Sequence, residues 1–512
     1  MNTYKTKTER TLRWFLFLLW LAVVLLLDSR HENWLDEAQA WLLARDLNLA
    51  GLFRQMSFEG HPCLWHLILM PFAKLGFPYR TMNLISTALV AAAVALMLWK
   101  SPIPLPLQAA ALFGCAFLHQ LPVISRSYAL IPLFLFLNAM FWPARRERPF
   151  RYGLSLALLV QTHLYMVPMA GIVSVIWLAE TLQAFRKDGD RRTLLRQGLG
   201  LALPLASFVL FLLQVSGSKN SSSYLFNARS LLPSALLRKN IELIAGYVDT
   251  PILLQYFPTW LTGHRVPVFL AVMAFLYVPA ALVFLQTLRQ QKAELAKAAG
   301  AYLLGVTSQL VLSLLFARTM LQKTAILLVL MLWLLWLVWP EAGSRQIKAL
   351  LLCGCLGLEL FFLGLDNTVL HDIKNPYSDS CACAAYIRDK LPEDAVIFTF
   401  APNCGTPLLP LLERDSFYDA VYGKPMSFVP WTHQNPQVTT YEALRAWARE
   451  IDPKAQEAYL IFWPQYTGPF GDILAHCEEE DLLYCYTDQD PPAIQDNYYL
   501  FRLRLSPTAV DR

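Results

Sequence analysis

The chain has 512 residues, of which 56% are hydrophobic and only 16% charged. A soluble globular domain carries about 25% charged residues, so that reading is excluded, and intrinsic disorder is excluded by the high apolar content. The net charge of +5 hides a division at Leu365: residues 1–365 hold 32 Lys and Arg against 16 Asp and Glu, whereas residues 366–512 hold 11 against 22. A basic, apolar part therefore precedes an acidic, more polar tail. Nucleic-acid recognition needs a basic stripe on a polar fold, and none is present, so no nucleic-acid partner is expected. The composition is that of a polytopic α-helical membrane protein.

Stretches of about 17–25 apolar residues cross a bilayer. In chain order the candidates lie near 12–27, 81–99, 104–121, 127–143, 152–163, 164–182, 198–215, 266–287, 299–316, 320–339 and 347–365. The first has a basic lead (Lys5, Lys7, Arg10, Arg13) and no small-residue cleavage site before Asp28, which predicts an uncleaved anchor. Residues 62–77 are apolar but short, with two prolines and Lys74. If they lie along the surface as an amphipathic helix, the basic loops Arg145–Arg151, Arg186–Arg196, Arg289–Lys297 and Arg345–Lys348 fall on one side with the N-terminus. The positive-inside rule selects that arrangement. The expectation is about eleven spans over residues 1–365, a first outer loop at 28–80 carrying surface helices, and an extracytoplasmic tail at 366–512.

A polar Ser/Asn run (Ser216–Tyr224, including Asn220) opens a further outer loop at 216–265. The tail alternates strand-like runs (AVIFTF, AYLIFW, LLYCY, YYLFRLRL) with a helical one (YEALRAWARE), predicting a small α/β domain. Cys63, Cys115, Cys353 and Cys355 lie in or beside apolar segments, while Cys381, Cys383, Cys404, Cys477 and Cys485 lie in the tail. In an oxidising compartment those five admit one or two disulfides and leave at least one thiol over.

The first outer loop is the chemically rich one. Asp36-Glu37 open a stretch in which Leu35, Ala38, Trp41 and Leu42 fall at helical spacing, predicting an amphipathic helix with its carboxylates in the first turn. Favourable placement of acids at a helix start is the bland alternative. Glu59-Gly60-His61-Pro62 follows, so two carboxylates and an imidazole share one short connection beside the bilayer, the residue types for a general base and a metal or hydroxyl ligand.

Taken in order, these elements resemble the GT-C superfamily, in particular the protein O-mannosyltransferase and aminoarabinose-transferase type (family 39-like). The family's first-loop Asp-Glu matches Asp36-Glu37, and its (Asp/Glu)-x-His-Pro-Pro-Leu element matches Glu59-x-His61-Pro62-Cys63-Leu64, with Cys63 replacing the second Pro. Its Arg early in the second span matches Arg80, its Arg-x-Tyr-Ala-Leu element matches Arg126-Ser127-Tyr128-Ala129-Leu130, and its His with an aromatic neighbour matches His163-Leu164-Tyr165. Some members carry an Asp just after Tyr-Ala-Leu, where this chain has Ile131 and Pro132. The match covers residues 1–215 well, the later spans weakly and the tail only in layout.

The resemblance implies a multi-pass protein of the plasma (bacterial inner) membrane that takes a sugar from a polyprenyl-phosphate carrier. The acceptor is a hydroxyl of a lipid, glycan or protein on the outer side, and the displacement usually inverts the anomeric centre. Asp36 is the expected general base, with Glu37 and Glu59 the other catalytic carboxylates. His61, Arg80, Arg126, Tyr128, His163 and Tyr165 are the expected substrate-binding residues, because Arg offers bidentate contact to phosphate. Arg318 and Lys323 join them as cations at outer span ends, where snorkelling is the alternative. Glu59 and His163 are a candidate metal pair, which leaves a divalent cofactor open. Glu180 and Glu359 lie inside apolar spans and raise a rival reading as a lipid flippase or transporter, although paired halves with interrupted helices are not evident. A non-catalytic receptor would explain the tail but not the first loop.

Overall fold

The computed structural model describes residues 7–216, 265–316, 321–340, 345–364, 367–432, 434–485 and 496–505. It divides into two compact units. One comprises residues 1–29, 53–65 and 83–369, the other residues 30–52, 66–82 and 370–512.

The first unit is helical. Its helices are α1 (Lys7–Arg30), α5 (Thr81–Lys100), α6 (Leu105–Leu112), α7 (Leu130–Phe141), α8 (Pro149–Val160), α9 (Val167–Asp188), α10 (Arg191–Val215), α11 (Arg265–Arg289), α12 (Ala293–Phe316), α13 (Leu321–Val338) and α14 (Arg345–Gly364). Each falls on one of the apolar stretches read from the sequence. Six helical stretches among the described residues are long and apolar enough to cross a membrane: Lys7–Arg30, Thr81–Lys100, Ser127–Ala144, Leu164–Asp188, Arg191–Val215 and Ala293–Leu312. The chain is a multi-pass membrane protein. The stretch near 104–121 does not run as one helix: α6 ends at Leu112, and residues Ala116–Gln120 form a π-helical turn that carries the buried His119.

α13 is buried all round from Ala325 to Leu335 and sits at the centre of this unit's core. Such a helix needs no polar face because no side of it meets solvent. Polar ties cross the core at its indoles: Trp20 donates to the carbonyl of Phe117 and Trp333 to Asn138 Oδ1. α8 and α10 pack so closely that a Cβ on Gly153 would run into the Gly200 backbone carbonyl. Glycine is required there by contact, not by a turn.

In the second unit the first-loop helices α2 (Leu35–Asp46) and most of α4 (Leu64–Lys74) belong with the tail. α4 has 11 residues, about 16 Å at 1.5 Å per residue, half of what a span needs, in agreement with the surface-helix expectation for 62–77. α2 differs from the amphipathic expectation: nine of its twelve residues are buried. The reason is its covering by the tail. Gln39 exchanges two hydrogen bonds with the Val429 backbone at 2.7 and 2.9 Å, and Arg45 donates to the carbonyls of Arg414 and Asp415. Through these contacts residues 30–52 belong to the same compact unit as the tail.

The tail is an α/β domain around a six-stranded mixed sheet of order β3-β2-β1-β4-β6-β5. The strands are β1 (Ile397–Thr399), β2 (Phe417–Asp419), β3 (Lys424–Met426), β4 (Glu457–Phe462), β5 (Leu482–Cys485) and β6 (Tyr499–Arg504). Central β1 runs parallel to β2 and β4, and the remaining pairs are antiparallel. β4 is buried from Ala458 to Phe462, as a central strand covered on both faces must be. Helices α16 (Ser380–Lys390) and α17 (Tyr441–Ile451) complete the domain, α17 starting at Thr440, whose hydroxyl accepts the Ala443 amide. No disulfide joins any of the nine cysteines.

Candidate functional site

The conspicuous residues of the second unit gather around His31, which follows directly on α1. This imidazole is fully buried; its Nδ1 lies 2.9 Å from Asp372 Oδ2 and its Nε2 3.1 Å from Glu37 Oε2. Burial alone would drive the ring neutral. The charges of Glu37 and Asp372 and their hydrogen bonds outweigh it and raise the His31 pKa to about 10, so the ring is an imidazolium held between two carboxylates. Glu37 Oε2 also accepts the Trp34 amide at 3.2 Å, one of the amides that the start of α2 would otherwise leave unbonded. The His31 carbonyl accepts from Arg80 Nη1 at 2.9 Å, and the Asn33 carbonyl accepts from the Ser380 hydroxyl at 3.2 Å.

Glu37 is thereby fully buried and committed to structure, whereas Asp36 beside it in the first turn of α2 is half-buried. Glu37 bonds an amide at the start of α2, and Asp36 precedes it in the same first turn. Arg80 stands one residue before α5 begins.

The first unit gathers the other motif residues around His163. Its ring stacks on Tyr165 (centroids 5.1 Å apart, planes 2° apart), lies 4.7 Å from Tyr128 and 6.2 Å from His61, and Arg126 sits 5.8 Å over the Tyr128 ring. Three sequence elements about 40–65 residues apart thus share one cluster, as their order suggested. Local structure explains the placement. Gly60 adopts φ +73°, ends the helix Leu49–Glu59, and leaves Glu59 and His61 on either side of that turn. Arg126 and His163 each precede a short 3₁₀ turn, Ser127–Ala129 and Leu164–Met166.

Sequence reading missed what holds this cluster. Gln214 Oε1 accepts the Cys63 amide at 2.9 Å, Gln214 Nε2 donates to Gln161 Oε1 at 3.2 Å, and Gln161 Nε2 donates to the Ser207 carbonyl at 2.8 Å. This chain of amides ties the ends of α8 and α10 to the turn that follows His61. No motif announces it; a Gln inside an apolar span is the one available signal. His31 and Asp372 were missed for a different reason, since 341 residues separate them.

Glu59 and His163, the candidate metal pair, are each engaged by a protein group. His163 Nδ1 accepts the Tyr165 amide at 3.3 Å, which puts the ring proton on Nε2, whereas a metal-bound imidazole keeps its proton on the far nitrogen and donates it outward. Glu59 Oε1 accepts from Gln55 at 3.1 Å. His163 is suited to donate from Nε2 to an anionic oxygen. Arg318 and Asn220 lie outside the described residues, as do the side chains of Lys323 and Glu359.

Glu180 has an internal explanation. Arg145 holds both of its carboxylate oxygens, at 2.8 and 2.6 Å, and also reaches Glu294 at 2.6 Å, while Lys297 bonds Glu180 and Glu294 at 2.5 and 2.9 Å. A buried acid with two cations is a closed network.

No protein-family model matches this chain, and no curated protein matches it. Among solved structures it is similar to ArnT from Cupriavidus metallidurans in the apo state, with 13% identity and a TM-score of 0.42 over 95% of this chain and 97% of that one. The same ArnT bound to undecaprenyl phosphate gives 13% identity and a TM-score of 0.38 over the same shares.

Proposed function

We propose that the protein is a membrane glycosyltransferase that moves a sugar from a polyprenyl-phosphate carrier to an acceptor hydroxyl on the outer side of the membrane. The observation that supports this most is the gathering of His61, Arg126, Tyr128, His163 and Tyr165 into one cluster of aromatic rings, imidazoles and a guanidinium. The acceptor oxygen forms a bond to the anomeric carbon from the face opposite the leaving group. As it does, the bond from that carbon to the phosphate oxygen breaks, and the polyprenyl phosphate departs with the bonding electrons. The acceptor proton passes to a carboxylate, the part that the resemblance implies for Asp36. Arg126, in a planar fork, and His163, from Nε2, hold the phosphate as its charge grows. Arg80 orients the segment after α1 through the His31 carbonyl, and Glu37 fixes the turn that presents Asp36.

The acceptor in this reading is a lipid, glycan or protein, the membrane is the bacterial inner membrane, and the tail is extracytoplasmic. Of the two acids that raised the transporter alternative, Glu180 is paired with Arg145 and Lys297, which weakens its support for that alternative. The test is release of free undecaprenyl phosphate from an undecaprenyl-phosphate-linked sugar by the purified chain in detergent, with a bacterial membrane extract supplying acceptor hydroxyls. Release with loss of donor sugar is expected; an intact donor after prolonged incubation across a panel of amino- and neutral-sugar donors refutes the reading.

A further inference from the structure

The second unit contains a cavity of about 360 Å³ whose lining includes Arg30, Glu32, Asp372, Lys374 and Tyr484. At about 30 Å³ for each water-sized occupant, it has room for roughly a dozen heavy atoms. Its charges are of both signs and differently placed. Arg30 and Lys374 are exposed, with no carboxylate paired to either among the described residues. Glu32 is half-buried, and its Oε2 is shut from solvent with no hydrogen-bond partner among those residues. Asp372 shares the wall, its Oδ2 held by His31 at 2.9 Å. A buried carboxylate oxygen without a donor costs free energy that an N–H or O–H from a ligand would recover.

The surroundings of Glu32 make that cost larger. Burial pushes its carboxyl up to about 7, and Asp372, Asp379 and Asp496 push the same way against His31. A cation brought to Glu32 removes the penalty. The two exposed cations ask for the opposite charge. Arg30 is moreover the last residue of α1, a helix long enough to cross the membrane, so the cavity's first cation lies where the chain leaves that helix.

We infer that this cavity binds a zwitterionic headgroup in which an ammonium is joined to a phosphate by a short linker, the ammonium at Glu32 and the phosphate at Arg30 and Lys374. Phosphoethanolamine, free or as the headgroup of phosphatidylethanolamine, has this chemistry and fits the volume. The site does not depend on the transferase reading, and binding alone tests it.

The experiment measures binding to the full chain in detergent with O-phosphoethanolamine, and then with inorganic phosphate and with ethanolamine separately. O-Phosphoethanolamine should bind at least tenfold tighter than either half. Glu32→Gln should lower its affinity to that of phosphate, and the exposed pair Arg30→Gln with Lys374→Gln should lower it to that of ethanolamine, without depending on a buried substitution. Nanodiscs of phosphatidylethanolamine that displace the soluble compound identify the lipid as the source. If nanodiscs of phosphatidylglycerol and phosphatidylethanolamine leave binding equally intact, the source is a free small molecule. Equal affinity for O-phosphoethanolamine and phosphate, or affinities unchanged in both the Glu32 variant and the Arg30/Lys374 variant, overturns the inference.

Discussion

Replacing His31 by Gln tests the group that bonds Glu37 at the start of α2 to Asp372. His31 is fully buried with Asp372 at 2.9 Å and Glu37 at 3.1 Å. Removing the imidazolium leaves two buried carboxylates uncompensated, a loss of about 3–5 kcal/mol. Its pKa gives a second route to the magnitude. A folded-state pKa of about 10 against 6.5 corresponds to a stabilisation on the order of 5 kcal/mol. The raised pKa fixes the sign: this contribution is complete below pH 6.5 and disappears as the pH climbs from 6.5 through 10. Thermal unfolding of the detergent-purified chain, followed by near-UV circular dichroism at pH 6, 8 and 10, reads it. At pH 6 the variant should melt lower by roughly 6–12 °C, taking about 2–4 °C per kcal/mol for a unit of 150–250 residues and the lower loss of ~3 kcal/mol. At pH 10 the two melting temperatures should converge. Parallel pH profiles for the two proteins would refute the imidazolium reading.

Other outcomes follow from the same geometry. Arg126→Ala should raise the KM for a polyprenyl-phosphate donor more than Arg126→Lys, since Lys keeps the charge and loses the planar fork; equal and unimpaired kinetics in both would remove Arg126 from phosphate binding. Gly153→Ala drives a methyl into the Gly200 carbonyl where α8 meets α10, and should destabilise the first unit by about 1–3 kcal/mol, read as a lower melting temperature, while Gly171→Ala, with open space at its Cβ, should not. Glu147 is exposed in the Arg-rich turn after α7, so a Glu147→Cys protein in a cysteine-free background should resist membrane-impermeant maleimide in intact cells; labelling from outside would reverse the topology.

How far the sequence could be read depended on the range of the forces involved. Membrane helices announce themselves by long apolar runs such as Ala325–Val338 of α13. The short strands β2 and β3 were not foreseen: three residues each, with Pro425 in one, carry too little pattern to detect. The elements around His163 were legible in order but not in geometry, since stacking of Tyr128, His163 and Tyr165 is a property of three turns meeting. Glu37, adjacent to Asp36, reads from sequence as its catalytic companion; its bonds to His31 and the Trp34 amide are not announced by any motif. Nothing in the local sequence distinguishes the two acids; the distant Asp372, by fixing His31, does.

The role of Asp36 is the central claim, and the measurement that tests it compares sugar transfer by the unmodified chain and by Asp36→Asn, with donor binding measured on the same preparations. Asn keeps the size of the side chain and much of its hydrogen bonding but cannot take the acceptor's proton. The variant should bind donor with unchanged affinity and lose transfer by ~10²–10⁴-fold. Transfer at a near-normal rate by Asp36→Asn would contradict the account and return Asp36 to the part of an ordinary helix-start acid.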